Sequence, residues 1–407
     1  MTAASIDHLV ALILFISVTA LFIGLFNQTI QTGITYQQHK AIAQKCSDLL
    51  DNMLLSPGIP PNWSYSAGNP QGFGLQAIEF TQYELSPFSA MRLRSSDGTP
   101  VTYSMTGETY SNITMGFGQS LFVPYSQALD YATASKLIGV NGSYGFSLTL
   151  SPTVSVKVVQ TQLNPLCLSI SAYSQGFTLA NAAINYCLIT ISGSEGGLPP
   201  VLGFKYGNAT ADNAGNSVLT LSDYNSATMS YAFIVSASVS GLVGIGYQQR
   251  SLYQQSYIVP LVESVQNETV ILAHSWDITG TGQQAAPLSY NATSMVMSDD
   301  YSWQLMPFVN QTGNGCGLLN SGNGYDTLTL GAINPRIVII PYSMSQAESG
   351  VVVMPWGLSS LSFPITFGGE VSDKSWVATD IRQVTIDRIA YHATLSVWSL
   401  SGYQVTG

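Results

Sequence analysis

From Leu9 to Phe26 the chain reads LVALILFISVTALFIGLF, eighteen residues without a charge. As a helix this stretch measures ~27 Å, close to the ~30 Å hydrocarbon core of a bilayer. It is longer than the apolar core of a typical secretory signal, no Lys or Arg precedes it, and no small-x-small cleavage site follows cleanly. We therefore expect a retained membrane anchor. Beyond it, Ile30, Ile34, Ile42, Cys46, Leu49 and Met53 recur at mostly three-, four- and eight-residue intervals on a polar background, one narrow helical stripe. No proline occurs before Pro57, where Ser56-Pro57-Gly58 and then Pro60-Pro61 stop the pattern. The expectation is one continuous helix over about residues 6–55, ~75 Å long. Half of it would sit in lipid, and the stripe on the other half would be covered by a folded domain or by other subunits.

Asp7 and His8 stand just before the apolar run. Two roles fit Asp7: a wet interfacial residue, or the buried acid of a packed helical array, which demands a partner such as a neighbour's N-terminal amine. The segment Ala4-Ser5-Ile6-Asp7-His8-Leu9-Val10, leading into a long uncharged helix, resembles the N-terminus of archaeal type IV pilin-like proteins. Gln44 to Trp63, with Asp48-Leu49-Leu50-Asp51 and Leu54-Leu55-Ser56-Pro57-Gly58, is similar to the segment where the helix of such membrane-anchored proteins exits into the ectodomain. The resemblance covers about sixty residues. It implies a cell-surface role and, if the chain polymerises, an assembly surface formed by Asp7, Ile30, Ile34, Ile42, Leu49 and Met53. One departure is that no Lys/Arg-Gly processing site precedes Ala4. Either a leader lies upstream of this sequence, or the protein is a permanent anchor that never enters a filament.

Composition says which side the remainder faces. Charged residues make up 8% of the chain, against about 25% in ordinary soluble domains, yet 46% is apolar, so a core is affordable while Ser, Thr, Asn, Gln and Tyr solvate the surface. With 12 Lys plus Arg against 22 Asp plus Glu, the net charge is −10, which excludes a basic nucleic-acid surface. Lys40 and Lys45 give no useful positive-inside signal. Asn-x-Ser/Thr sequons at Asn27, Asn62, Asn112, Asn141, Asn208, Asn267, Asn291 and Asn310 are about twice what chance gives. Together these features place residues 56–407 outside the cell, an expectation the sequons make as glycosylation candidates.

After Trp63 the signals are period-two runs broken by Gly, Asn, Ser and Pro, the mark of an all-β exterior, β-sandwiches in particular. The one helix expected there runs from Ser126, as N-cap, to Ile138, with Gly139 as the stop. We divide the chain into the helix 1–55, a β-rich layer 56–145, a module 146–250 and a C-terminal β domain 251–407, which 56–145 either joins or precedes as a separate layer. Within the module, Gly176-Phe177-Thr178-Leu179-Ala180-Asn181-Ala182 and then Asp212-Asn213-Ala214-Gly215-Asn216 ahead of Val218-Leu219-Thr220-Leu221 resemble bacterial and archaeal Ig-like or carboxypeptidase-regulatory-like β-sandwich repeats. If 166–172 and 183–190 form a hairpin centred near Phe177, Cys167 and Cys187 face each other across it at near-disulfide spacing. Such a bridge would be worth ~3 kcal/mol; the alternative is two buried thiols.

Chemistry-bearing motifs are few. The sequence has no Gly-x-Ser-x-Gly, His-Glu-x-x-His, Cys-x-x-Cys or P-loop. His274-Ser275-Trp276-Asp277 collects triad residue types, though triads assemble in space rather than along the chain. Asp299-Asp300, Asp212 and Asn216 could help bind Ca²⁺, but turn chemistry explains them as well. We expect no catalytic residue, metal or cofactor. The leading expectation is an archaeal cell-surface structural or adhesive protein whose partners are membrane lipid and, if it polymerises, copies of itself. The alternative is a monomeric receptor for an extracellular ligand or glycan, which would show exposed aromatics around Trp303, Trp356 or Trp376. A surface hydrolase built on His274 or His392 comes last.

Overall fold

A computed structural model describes residues 3–66, 68–79, 81–94, 98–113, 121–140, 142–279, 286–306, 308, 315–320, 324–331, 335–357, 364–371 and 376–400. The chain is a long N-terminal helix followed by a β-rich body of mostly antiparallel sheets with sandwich-like packing. The helix, Ala3–Leu54, runs 52 residues without interruption. Ser17, Thr19, Thr29 and Thr32 do not break it, because each hydroxyl bonds back to the carbonyl four residues earlier, those of Ile13, Phe15, Leu25 and Gln28, at 2.7–2.9 Å. Such bonds satisfy these four hydroxyls without water. The helix stops at Leu54, and four residues on Gly58 turns the chain with φ +85°. A Cβ there would lie 2.7 Å from both the Trp63 ring nitrogen and the Gly72 carbonyl.

The two halves of this helix live in different surroundings. Large apolar side chains from Ile6 to Phe26 are all exposed, whereas Ile42, Cys46, Leu49, Leu50, Met53 and Leu54 are buried. The buried face is a helical stripe that packs on the hairpin of strands Ala378–Ile386 and Ile389–Ser399, joining Val384, Ile386, Tyr391, Ala393, Leu395 and Val397 in one core. Arg382 fastens the seat. Its guanidinium reaches Asp51 at 2.9 Å, Asp380 at 2.7 Å and the Ser47 hydroxyl at 3.0 Å. Burial pushes the Asp380 carboxyl up, but hydrogen bonds from Ser47 and Arg382 and the Arg382 charge outweigh it and hold it below the ordinary carboxylate value. That part of the lock is therefore complete above the unfolded carboxylate value, ~4, and is lost as pH falls through the lower folded one.

Among the described residues the body contains five sheets. Two of them form a β-sandwich. One carries Ser155–Leu163, Leu166–Ser174, Phe177–Thr178 and Asn216–Leu221; the other carries Ala183–Ser192, Val201–Thr210, Met229–Val239 and Leu242–Arg250. Val156, Val158, Leu168 and Ile170 face Leu188, Tyr231, Phe233 and Val235 across its core. On one side the edge strands of the two sheets nearly touch. A Cβ on Gly244 would lie 2.3 Å from the Val154 carbonyl, and one on Gly246 2.7 Å from that of Val156, so only glycine lets them approach. Met229–Val239 is buried on both faces, because Ala232 and Ile234 join the larger core while Ser230 donates to the Ser349 carbonyl at 2.8 Å.

The sandwich begins later than residue 146. Tyr144–Pro152 belongs to another sheet, between Ile389–Ser399 and Ile365–Gly368, because Phe146, Leu148 and Leu150 complete the core under the long helix. Residues 56–145 and 251–407 share sheets as well: Leu121–Pro124 lies parallel to Ile258–Ser264 in a six-stranded sheet. The short helix is Tyr131–Leu137, and its N-cap is Asp130, not Ser126. Asp130 accepts from the Thr133 N–H at 2.8 Å, whereas Ser126 sits in a 3₁₀ turn. A further helix, Pro87–Arg94, carries Arg92, buried with its guanidinium 4.9 Å over the Trp63 ring and donating to the carbonyls of Trp63, Ser66, Gly68 and Gln127. Burial lowers the pKa of Arg92 to about 10.

Candidate functional site

The feature that stands apart is the exposed half of the long helix. None of its eighteen-residue apolar window is buried, and the helix is long and apolar enough to cross a membrane. Fourteen large apolar side chains lie exposed between Ile6 and Phe26, Phe15 at 70%. Leaving that many in water forfeits on the order of 20–40 kcal/mol, more than the ~5–15 kcal/mol by which a whole domain is stable. Water alone is therefore not its medium. Asp7 is exposed at the start of this half, and Ile30 and Ile34 follow at 44% and 49% exposure.

The proposed assembly surface therefore divides. Asp7, Ile30 and Ile34 remain open to a neighbour. Ile42, Leu49 and Met53 do not, because this chain's own β body covers them. Where the helix first meets the body, His39 stacks on Trp376 with ring centroids 4.1 Å apart and planes 3° from parallel.

The cysteine bridge is not formed: all four cysteines are free thiols. Leu166–Ser174 already has Ser155–Leu163 on one edge and Asn216–Leu221 on the other, which leaves no edge for Ala183–Ser192, and the latter pairs in the opposite sheet. Cys167 also points away from the sandwich core, and Cys187 joins the other core behind its own sheet. The roughly 10 Å thickness of a sandwich lies between them. Burial pushes the Cys187 thiol up to about 12. A thiol titration of the unfolded, unreduced chain should return four equivalents; two would restore the bridge.

The residues weighed for chemistry are occupied structurally. His274 is buried, its Nδ1 accepting from the Trp276 N–H and its Nε2 facing the Ala286 carbonyl, both at 3.1 Å, and burial lowers its pKa. His392 lies 3.2 Å from the Gln175 amide. Asp300 accepts from the hydroxyls of Ser298 and Ser302, which hold it down at about 2, while Asp299 pairs with Arg388 at 2.6 Å. Asp212 accepts from the Ala214 and Asn216 N–H groups at 2.8 and 2.9 Å, a turn. No group of three or more potential metal ligands occurs among the described residues.

Trp303 and Trp356 are core residues and Trp376 is half-covered by its stack with His39, so the aromatics named for a receptor do not form an exposed platform. Of the sequons, Asn27, Asn62, Asn208 and Asn267 are exposed. The Asn112 side-chain oxygen is buried, and the Asn291 amide donates to the Pro200 carbonyl at 3.2 Å. Asn141 and Asn310 lie outside the described residues. Arg382 and Trp376, which seat the helix, carried no local sequence signal: each meets a partner more than 300 residues away.

No protein-family model matches the chain, and no curated protein matches it. Among solved structures it is similar to trypsin-activated alpha-2-macroglobulin from Escherichia coli, at 12% identity over 56% of this chain and 18% of that one, with a TM-score of 0.20. Red sea bream transglutaminase is another, at 10% identity over 61% of this chain and 37% of that one, with a TM-score of 0.18. The chain thus spans well under half the length of either protein, and these scores carry no argument about function.

Proposed function

We propose that this is a cell-surface structural or adhesive protein, anchored by its N-terminal helix and displaying the β body outside the cell. The observation that carries the proposal is one unbroken helix with its first half bare and apolar and its second half built into the body's core. Such a connection transmits position and force, where a flexible tether would not. Low charge and exposed sequons at Asn62, Asn208 and Asn267 support an extracellular body. The type IV pilin-like resemblance of the N-terminus and the Ig-like pattern of the sandwich sequence point to an archaeal surface protein.

Residues 27–41 favour company for the helix. They are uncharged up to Lys40 and add ~22 Å of helix between the apolar run and the seat. A lone polar helix without ion pairs is not self-supporting in water, so lipid headgroups or copies of the chain would cover it, with Ile30 and Ile34 toward the copy.

Lys136 and Lys157 are exposed on the body and give a direct test. A membrane-impermeant amine reagent applied to intact cells should label both as fully as it does after lysis. Labelling only after lysis would put the body on the inner side.

A further inference from the structure

We propose that two copies of the chain pair in parallel and in register, through the side of the long helix that faces away from the body. The inference deepens the anchored-helix reading above and rests on it. At ~100° per residue, the centre of the buried face, made by Ile42, Cys46, Leu49, Leu50 and Met53, lies roughly 145° round the helix from Ile30. Between the apolar run and the seat, Gln28, Gln31, Thr32 and Thr35 fall on the body's side, whereas Ile30, Gly33 and Ile34 fall on the far side. The body does not wrap round to cover that far side. Gln37, Ala41, Gln44, Asp48 and Asn52, which continue the line of Ile30, are all exposed.

The spacing along that side selects a second copy as the occupant. Leu9, Ile16, Ile23 and Ile30 stand seven residues apart, and Leu12, Thr19, Phe26 and Gly33 follow each by three, the a and d positions of helices that wrap round each other. Isoleucine at the a positions suits a parallel two-stranded pair. Inside the bilayer this line is one apolar face among several, but it runs on past Phe26 to Ile30 and Ile34, which neither hydrocarbon nor the body covers. Gly33 is an independent observation. Glycine inside a helix is destabilising, and a Cβ there would meet nothing within 4 Å, so no contact within the chain requires it. Close approach of a second helix does. Parallel copies anchored in one membrane hold the same residues at the same depth, so Ile30 meets its own counterpart and the face is self-complementary. Asp48 is the first carboxylate to fall on the line beyond the apolar run, and two like charges facing there mark where the helices part. The bodies then project outward on opposite sides of the pair.

The test is disulfide trapping of the full chain in liposomes at low protein-to-lipid ratio, with copper phenanthroline as oxidant. Ile30→Cys should be recovered mainly as a covalent dimer. Gln28→Cys and Thr35→Cys, on the body's side of the same helix, should stay at the level of the unsubstituted chain, which sets the background from the native thiols. All three positions are exposed, so the substitutions leave the body folded. Gly33→Leu added to Ile30→Cys should cut the dimer about tenfold by holding the helices apart. Mixing Ile23→Cys with Gln37→Cys chains tests the register: each should trap its own kind in preference to the other. A carbonate wash before oxidation separates the two readings. Chains that leave the liposomes at that step sink the anchor, whereas a retained Ile30→Cys chain that stays monomeric sinks the pair alone. Equal trapping at Gln28→Cys and Ile30→Cys, or preferential trapping of Ile23→Cys with Gln37→Cys as a staggered array would give, also overturns it.

Discussion

Replacing Leu14 and Phe22 together with arginine should release the chain from carbonate-washed membranes. Each arginine near the centre of a spanning helix costs about 2.5–3.5 kcal/mol. The pair therefore shifts partitioning by roughly four to five powers of ten. The β body should melt unchanged, because these side chains are exposed and belong to no core of the body. Gln28→Arg with Gln31→Arg is the matched control, since both stand in the polar stretch beyond the apolar run. Retention of that control alongside release of the first variant ties attachment to residues 9–26. Equal retention of both would mean that something other than the apolar run holds the protein at the membrane.

The second large effect lies at the other end of the same helix. Leu50 is fully buried in the core that joins helix and body. Leu50→Ala should lower the stability of the body by about 2–5 kcal/mol, the usual cost of truncating a buried leucine. Ile34→Ala, on the same helix but half exposed, should stay within about 0.5 kcal/mol. Denaturant unfolding followed by tryptophan fluorescence reads both, because Trp63 lies in the same cluster and Trp376 packs against it. Equal effects of the two substitutions would mean that the helix is only laid against the body.

How much of this was legible depended on the range of the interactions. The helix could be read from residues 9–54 because its causes are local: no charge in the apolar run, no proline, and a Ser-Pro-Gly stop. The β class could be read from alternation such as Val154, Val156 and Val158. Strand partners could not. Tyr144–Pro152 looks like the first strand of the sandwich that follows it, yet it pairs with Ile389–Ser399, more than 200 residues on. Cys167 and Cys187 read as a bridge because neighbouring strands usually pair; here both edges of Leu166–Ser174 were already taken. The stripe Ile30 to Met53 has one period but two destinations, and only the position of the body shows that its covered part begins at Ile42. Arg382 escaped notice, and Trp376 was read as a receptor aromatic, for the same reason, since their roles in seating the helix exist only once residues 39–51 lie beside residues 376–382.

The most direct test of the central claim is the intact mass of the mature chain recovered from carbonate-washed membranes. We predict a species that still contains residues 9–26, joined to the β body. A mature chain that begins beyond Phe26, or one that leaves the membranes with the wash, would contradict the anchor and with it the surface-display account.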